Sequence, residues 1–175
     1  MKTNDQITIR QLSDTDSLED LTELLHRAYK ILADMGLKYV ATYQSIEITR
    51  KRLKNGTCFV AELDGQIAGT VLYRKPGQPK GCAFYERPDV AHVSQMGVEP
   101  DLQRRGIGAK LMRHAEESAV RDGASELALD TSEQATHLIK WYERMGFRFV
   151  GHIDWEITNY RSVIMSKMLQ PAFPS

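Results

Sequence analysis

One stretch of the chain combines glycines with basic residues in a pattern that suits an anion: Gln103-Arg104-Arg105-Gly106-Ile107-Gly108-Ala109-Lys110. Two glycines one residue apart allow a tight backbone turn and let a bulky group approach without meeting a Cβ. The amides that begin a helix have no intrahelical acceptor and lie at the positive end of the helix dipole. Because a helix is predicted to begin at this stretch, its residues favour a site for a pyrophosphate.

Two other phosphate-binding loops do not fit this stretch. A Walker A loop ends in Gly-Lys-Ser or Gly-Lys-Thr, and the chain has no Gly-Lys pair. A Rossmann fingerprint would place a third glycine at position 111, which is Leu111, and would follow the first strand of the domain. For a Gly-x-Gly pair by itself, a surface turn before a solvated basic helix remains the alternative.

The spacing of apolar residues predicts the elements that must hold this stretch. Strands are predicted over 7–12, 58–63, 66–73, 90–98, 126–131, 147–156 and 160–169, and a further strand near 82–86 is compatible with the sequence. Helices are predicted from an N-cap among Asp14, Thr15 and Asp16 to Gly36, from Ser45 to Asn55-Gly56, over 107–121 and over 134–145.

The resulting order is β-α-α-β-β-β-α-β-α-β-β. Asp64-Gly65 favours the positive φ angles of a tight turn, so the strands on either side of it form an antiparallel hairpin. The strand–helix–strand unit from 90 to 131 is long enough for a parallel crossover. We therefore expect an α/β fold in the mixed-sheet (α+β) sense, with helices on both faces.

In this context the glycine-rich stretch resembles the acetyl-CoA loop of the GNAT N-acetyltransferase family. Gln103-x-x-Gly106-x-Gly108 comes just after Gly97-Val98-Glu99-Pro100 and matches the family pattern of Arg or Gln, two residues, Gly, one residue, and Gly or Ala. Trp141-Tyr142-Glu143-Arg144-Met145-Gly146-Phe147 resembles the second signature, an aromatic pair near a helix end followed by Gly-Phe. The resemblance covers about residues 7–169 and implies a single acyl-CoA N-acyltransferase domain there, with a tail over 170–175.

The resemblance implies acetyl-CoA as co-substrate and the residues that bind it. Strands 90–98 and 126–131 would splay apart, and the pantetheine arm would enter the gap and pair with the backbone as an added strand. The expected cofactor residues are Met96, Gly97, Val98, Gln103, Arg104, Arg105, Gly106, Ile107, Gly108 and Ala109. An Asn that often contacts the arm is replaced by Ala135, which departs from the family pattern.

The resemblance also implies the chemistry. A primary amine of a small molecule or peptide would attack the thioester carbonyl directly, and a backbone amide near Val98 would stabilise the developing oxyanion. Tyr142 stands where the family places its general acid, and a phenol is protonated at neutral pH. The alternative for Tyr142 is a core tyrosine, because it shares an apolar helix face with Leu138 and Ile139.

No general base is obvious from the sequence. His92, Glu86 and Asp130 are candidates because each lies on or beside a strand that flanks the expected cleft, and His92 has the side chain best suited to accept a proton near neutral pH. For His92 the alternative is a structural histidine on a strand.

The acceptor site is expected between the first two helices and the connection of the last two strands. Tyr39, Tyr43 and Trp155 are predicted to line it, where their rings would suit an apolar or cationic amine. Plain packing is the alternative for all three. A second function remains open as well, a non-catalytic acyl-CoA-binding module of the same fold.

The composition excludes several other classes of protein. The chain has 175 residues, the length of one domain, and carries 23 Lys and Arg against 23 Asp and Glu, which argues against a generally basic nucleic-acid binder. No apolar run approaches the ~20 residues of a membrane span, and Met1 to Asp5 carry no secretory signal. We therefore expect a cytoplasmic protein without membrane or nucleic-acid partners. A homodimer is a family-level expectation.

The metal-binding residue types are sparse. Cys58 and Cys82 are too few for a disulfide framework or a zinc site, and the histidines show no ligand spacing with each other or with the cysteines. We therefore expect no metal.

Overall fold

The computed structural model describes residues 6–171 and contains the elements in the predicted order. Within that range the strands are β1 Thr8–Gln11, β2 Thr57–Leu63, β3 Gln66–Arg74, β4 Val90–Val98, β5 Glu126–Ser132, β6 Arg148–Asp154 and β7 Arg161–Met168. The α-helices are α1 Leu18–Asp34, α2 Ile46–Leu53, α3 Ile107–Arg121 and α4 Thr136–Arg144. Short 3-10 helices occur at Val40–Thr42 and Pro100–Leu102.

The strands form one mixed sheet in the order β1-β2-β3-β4-β5-β7-β6. β4 and β5 run parallel, whereas all other neighbours are antiparallel. Asp64 and Gly65 have φ angles of +51° and +78°, as a tight hairpin turn between β2 and β3 requires. α3 forms the crossover between β4 and β5, which confirms the predicted fold class.

Helices cover both faces of the sheet. Successive side chains of a strand point to opposite faces. Val60 of β2 shares a buried cluster with Leu21 of α1, whereas its neighbour Ala61 shares another with Leu111 of α3. α1 and α3 therefore lie on opposite faces of the sheet. The strands between them contribute residues to both buried clusters.

The segment 82–86 is a turn and not a further strand. The amide of Glu86 donates to the carbonyl of Cys82 at 3.2 Å. The Glu86 carboxylate in turn accepts from the amides of Lys80 and Gly81 at 3.1 and 2.9 Å. These local hydrogen bonds fold the segment onto itself, so Tyr85 is buried although the segment does not pair with the sheet.

The N-cap of α1 is Ser17, and the three residues predicted for that role are not used. The Ser17 hydroxyl accepts from the amide of Asp20 at 3.1 Å. Asp16 instead accepts from both terminal nitrogens of Arg10, at 2.7 and 2.9 Å. This guanidinium lowers the pKa of Asp16 and ties the approach to α1 onto β1.

The remaining sequence predictions on the fold concern a membrane span and the C-terminal tail. Across residues 6–171, no helix combines the length and apolarity needed to cross a membrane. Of the predicted tail over 170–175, residues 172–175 lie outside the described part of the chain.

Candidate active site

β4 and β5 are paired at one end and separated at the other. They pair in register at Val90–His92 with residues 126–128, and both continue beyond these positions. The register of β4 with β3 shifts near Gln95, which has a φ of +51°, so β4 carries a bulge. A cavity of about 540 Å³ lies between the separated halves, lined by Val93–Val98 and Leu129–Thr131.

The cavity passes through the sheet. Its lining includes Tyr29 of α1 and Arg52 of α2 on one face, and Ile107 of α3 and Trp141 of α4 on the other. One end, the helix-start end, lies at residues 103–109, all of which except Arg105 line the cavity. The other, the aromatic end, lies on the face of α1 and is formed by Tyr39, Arg52, Lys80, Asp130, Trp155 and Tyr160. A ligand can therefore enter the gap between the strands from both faces.

The helix-start end is built mainly from backbone. Gly106 has a φ of +79°, a conformation that residues with a Cβ adopt only with strain. The first helical hydrogen bond of α3 runs from the amide of Lys110 to the carbonyl of Gly106 at 3.0 Å. The amides of Ile107, Gly108 and Ala109 precede it and have no intrahelical acceptor, so they form the positive end of the helix dipole.

Gly108 is required for a different reason from Gly106. A Cβ at Gly108 would lie 3.0 Å from Cζ2 of Trp141 and 3.1 Å from Cε of Met96. Both side chains line the cavity. Gly106 therefore supplies a left-handed turn, whereas Gly108 supplies the space that lets α4 approach the start of α3.

Nine of the ten residues predicted to bind the cofactor line the cavity: Met96, Gly97, Val98, Gln103, Arg104, Gly106, Ile107, Gly108 and Ala109. Arg105 is exposed on the same loop and is not a lining residue. The structure therefore brings the loop and the end of β4 to one cavity, as the sequence predicts.

Tyr142 lies on α4 and lines the cavity between its two ends. The side chain is 7% exposed and packs with the rings of Trp141 and Phe147, at centroid distances of 4.9 and 5.9 Å. Burial raises the pKa of its hydroxyl, and the nearby Tyr29 raises it further, so the phenol stays protonated at neutral pH. Among the described residues, none forms a hydrogen bond with this hydroxyl, so its proton is free for a ligand.

His92 lies outside the cavity. Its ring is 2% exposed and stacks on Tyr85 with a centroid distance of 4.6 Å and an interplanar angle of 16°. Within the described chain both ring nitrogens lack a hydrogen-bond partner. Burial lowers the pKa of His92 to about 3, with a smaller contribution from Lys80. Its predicted role as a base stays a prediction, and its position weighs against that role.

Two of the three predicted acceptor residues belong to the aromatic end. The hydroxyl of Tyr39 hydrogen-bonds to Oγ1 of Thr131 at 2.8 Å and accepts from the amide of Ser132 at 2.9 Å. Trp155 lines the cavity, and its Nε1 donates to Asp130 at 2.9 Å. Tyr43 is 45% exposed and does not line the cavity.

The aromatic end also carries charged side chains that the sequence prediction missed. Arg52 and Lys80 both line the cavity. Arg52 follows the fully buried Thr49 by three residues, so helical spacing could have placed it on the inner face of α2. Lys80 lies in a loop between Pro79 and Gly81, where the sequence has no periodicity from which to infer its direction.

Comparison with known proteins identifies the family. The model of the acetyltransferase (GNAT) family matches residues 18–147. The chain is 30% identical over 154 residues to S-(2-succino)cysteine N-acetyltransferase of Bacillus subtilis, which covers 87% of this chain and 90% of that protein. It is 24% identical over 168 residues to S-alkylcysteine N-acetyltransferase of the same organism, covering 93% and 90% of the two chains.

Solved structures share the fold. The GNAT family acetyltransferase of Elizabethkingia anophelis, crystallised with acetyl-CoA bound, superposes with a TM-score of 0.66 at 18% identity. The match covers 95% of this chain and 100% of that one. The family model spans both sequence signatures up to Phe147. The order of elements along the chain and the split between β4 and β5 agree with the resemblance. The chain therefore belongs to the GNAT family of acetyltransferases and is an acyltransferase enzyme.

Proposed function

We propose that the protein transfers an acetyl group from acetyl-CoA to the primary amine of a small molecule, with Tyr142 as the general acid. One observation carries this proposal. A single cavity joins the unpaired amides at the start of α3 to Tyr142 and continues to a charged, aromatic chamber on the opposite face of the sheet. Such a cavity lets two substrates approach from opposite faces of the sheet and meet beside a proton donor.

The helix-start end fits the diphosphate of acetyl-CoA. The amides of Ile107, Gly108 and Ala109 can donate to phosphate oxygens, and the helix dipole favours negative charge there. No side chain occupies the space around Gly106, because nothing lies within 4 Å of a Cβ placed on it. Arg104 and Arg144 line the same cavity and add positive charge. A related fold with acetyl-CoA bound supports the same co-substrate.

The separated half of β4 fits the extended arm of the co-substrate. Gly97 and Val98 pair with β3 on one side. Their other side faces the gap, because the pairing with β5 stops at His92. The backbone of Met96, Gly97 and Val98 can therefore pair with the amides of a pantetheine arm as with an added strand.

Tyr142 would protonate the leaving thiolate. Acetyl-CoA supplies an acetyl group activated as a thioester, and the transfer forms the amide N–C bond while the C–S bond breaks. The sulfur then needs a proton, which Tyr142 holds because burial keeps its hydroxyl protonated. The core-residue alternative does not conflict with this role, since the buried ring fixes the hydroxyl in the cavity.

The proton lost by the amine needs a separate acceptor. Of the three bases predicted from the sequence, Asp130 lines the cavity, whereas His92 and Glu86 do not. The carboxylate of Asp130 already accepts from Tyr85 and Trp155, at 2.7 and 2.9 Å, which fixes its orientation. We assign the proton to Asp130, directly or through water.

The acceptor class follows from the relatives and from the chamber. Two relatives are named for acting on S-substituted cysteines, which are small α-amino acids. The aromatic end is lined by Tyr39, Trp155 and Tyr160, whose rings could contact the apolar part of such a molecule. A small primary amine of amino-acid type therefore suits it better than a folded protein. A cytoplasmic location and a homodimer stay predictions from the sequence.

The decisive experiment measures thiol release from acetyl-CoA with a panel of amines. The panel contains α-amino acids, S-substituted cysteines, short peptides, polyamines and aryl amines, and mass spectrometry identifies any acetylated product. We expect turnover with at least one amino acid of the panel. Tight binding of acetyl-CoA without thiol release from any amine would instead support the non-catalytic acyl-CoA-binding module.

A further inference from the structure

Two cations at the aromatic end form no salt bridge with any carboxylate of the described residues. Arg52 and Lys80 line the cavity, and no carboxylate of residues 6–171 lies within salt-bridge distance of either. Both groups are partly withdrawn from water, which lowers the pKa of each. Removing a charge from water without a counter-ion costs free energy, and an anionic ligand bound between the two cations would offset that cost.

A buried network fixes the guanidinium of Arg52. Its Nη1 donates to Oε1 of Gln44 at 2.7 Å. Gln44 is fully buried, and its Nε2 donates to Thr49 at 2.7 Å and to Gln95 at 3.1 Å. These contacts join α2 to the bulge of β4. They hold the Arg52 guanidinium beside the opening between the strands in one orientation.

The position of Lys80 is fixed by its loop. The amides of Lys80 and Gly81 are held by the Glu86 carboxylate, which folds the turn beside the cavity. Nζ of Lys80 lies 5.6 Å from the centre of the Trp155 ring, the same ring whose Nε1 donates to Asp130. Lys80 and Asp130 thus share one neighbour, and the aromatic end offers both signs of charge within one chamber.

We propose that Arg52 and Lys80 bind a carboxylate of the acceptor, so that the enzyme acetylates amines that carry an acid group. This inference rests on the proposed function and narrows its acceptor class. Asp130 lies in the same chamber, where it can attract the ammonium of a zwitterion. The cationic amines that the aromatic residues alone would suit are disfavoured, because two positive charges already occupy the chamber.

The test compares acceptors that differ in one acid group. The probes are S-methyl-L-cysteine, S-carboxymethyl-L-cysteine, 2-(methylthio)ethylamine, which lacks the carboxylate, and spermidine. We expect kcat/KM to be at least about 10-fold higher for the best carboxylate-bearing amine than for the amines without one, because a hydrogen bond to a charged group is worth about that factor. A preference for 2-(methylthio)ethylamine or spermidine would overturn the inference and leave the acetyltransferase function intact.

Variants of Arg52 and Lys80 test whether these two cations cause the preference for carboxylate-bearing amines. Arg52→Gln and Lys80→Met should each raise the KM for the best carboxylate-bearing amine by about 10- to 100-fold. They should leave the affinity for acetyl-CoA unchanged, which excludes a role in binding the phosphates of the co-substrate. Arg52→Lys should recover part of the loss, because it restores the charge.

Arg50→Gln and Lys51→Met serve as matched controls, since both side chains are exposed on α2 and do not line the cavity. Thermal melting checks that each variant folds. An unchanged KM in folded Arg52→Gln and Lys80→Met would overturn the inference. Absence of thiol release with every amine would instead refute the proposed function, so the two failures are distinct.

Discussion

The two ends of the cavity are built in different ways. The helix-start end comes from one continuous stretch, residues 103–109, and presents mainly backbone amides. The aromatic end is assembled from side chains that are far apart in the sequence: Tyr39, Arg52, Lys80, Asp130, Trp155 and Tyr160. On the proposed function, a ligand at the first end would be recognised by the start of a helix, whereas a ligand at the second would be recognised by individual rings and charges.

This difference has a consequence for substitutions. Every residue type supplies the same amide except proline, so the helix-start end tolerates changes of side chain unless a new Cβ strains the backbone or fills the space. At the aromatic end each side chain makes its own contact, so single substitutions there should change which acceptor is used. Changes at the first end should alter the affinity for acetyl-CoA, and changes at the second the KM of the amine.

The largest effect is expected where the two ends meet. Tyr142→Phe keeps the buried ring and removes the proton donor. We expect kcat to fall about 10²–10⁴-fold, the usual worth of general acid catalysis, while acetyl-CoA affinity stays near that of the wild type. Steady-state kinetics and calorimetry measure the two quantities.

The matched control for Tyr142 is Tyr73→Phe. Tyr73 is also a buried tyrosine in the cluster beneath α3, but its hydroxyl donates to Asp122 at 2.8 Å and it does not line the cavity. Loss of this hydrogen bond in Tyr73→Phe should lower stability and leave kcat unchanged. Unchanged kcat in Tyr142→Phe would make Tyr142 a core residue, and another acid would be required.

The next effect tests the helix-start end through Gly108→Val. Its added atoms would press on Trp141 and Met96, which line the cavity. We expect acetyl-CoA affinity to fall about 10- to 100-fold and the free energy of unfolding to fall by about 1–3 kcal/mol, the usual cost of overpacking. Calorimetry and chemical denaturation measure these changes.

Two comparisons make this test specific. Gly151→Val on β6 adds the same atoms where no heavy atom lies within 4 Å, so affinity should be unchanged. Arg105→Ala removes an exposed charge but keeps the amides, so it should weaken affinity less than Gly108→Val does. Equal or greater damage from Arg105→Ala would show that side chains, and not amides, dominate this end.

A smaller effect is expected at the aromatic end from Trp155→Phe. This change keeps a ring in the chamber and removes the Nε1 hydrogen bond to Asp130. The KM of the amine should rise about 10-fold and kcat should fall, because Asp130, the proposed base, loses a charged hydrogen bond that orients it, while acetyl-CoA affinity stays constant. Tyr43→Ala should raise the KM much less, since Tyr43 is exposed outside the cavity. An equal rise would return Tyr43 to the acceptor pocket predicted from the sequence.

The same difference between the ends explains which features the sequence predicts. The helix-start end is encoded by neighbours in sequence, so Gly106, Gly108 and the helix that follows identify it locally. The aromatic end depends on how α2, a loop and the β6–β7 connection meet, which no local pattern encodes. Arg52 lies in the run Arg50-Lys51-Arg52, where three cations look alike until the helix face is known.

The turn at 82–86 illustrates the same limit. Its short run of apolar residues, 82–85, is compatible with a strand, yet the Glu86 carboxylate binds the amides of Lys80 and Gly81 and folds the chain locally. A side chain that accepts hydrogen bonds from backbone amides competes with strand pairing. The pattern of apolar residues contains no information about such hydrogen bonds. The turn matters for function because it places Lys80 beside the cavity.

The smallest effect on chemistry is expected at His92, the last residue of β4 that pairs with β5. Its pKa of about 3 lies below the ordinary value of about 6.5, so the unfolded chain takes up a proton before the folded protein does. Stability is therefore complete above pH 6.5 and falls as the pH drops from there toward 3. Between pH 7 and 5 the free energy of unfolding should fall by about 2 kcal/mol through this residue.

Urea denaturation at pH 7 and pH 5 tests this expectation with His92→Phe, which keeps a ring against Tyr85 and cannot titrate. Carboxylates contribute little to the change in stability between pH 7 and 5, because even in the unfolded chain an Asp such as Asp16 titrates only near pH 4. We expect the variant to lose the pH dependence and to retain its turnover rate, since His92 does not line the cavity. Turnover slowed by about 100-fold or more would instead support the base predicted from the sequence, because a general base is worth about that factor. The catalytic groups would then include His92 in the paired half of β4 as well as Tyr142 and Asp130, and the site could not be described by the two ends of the cavity alone.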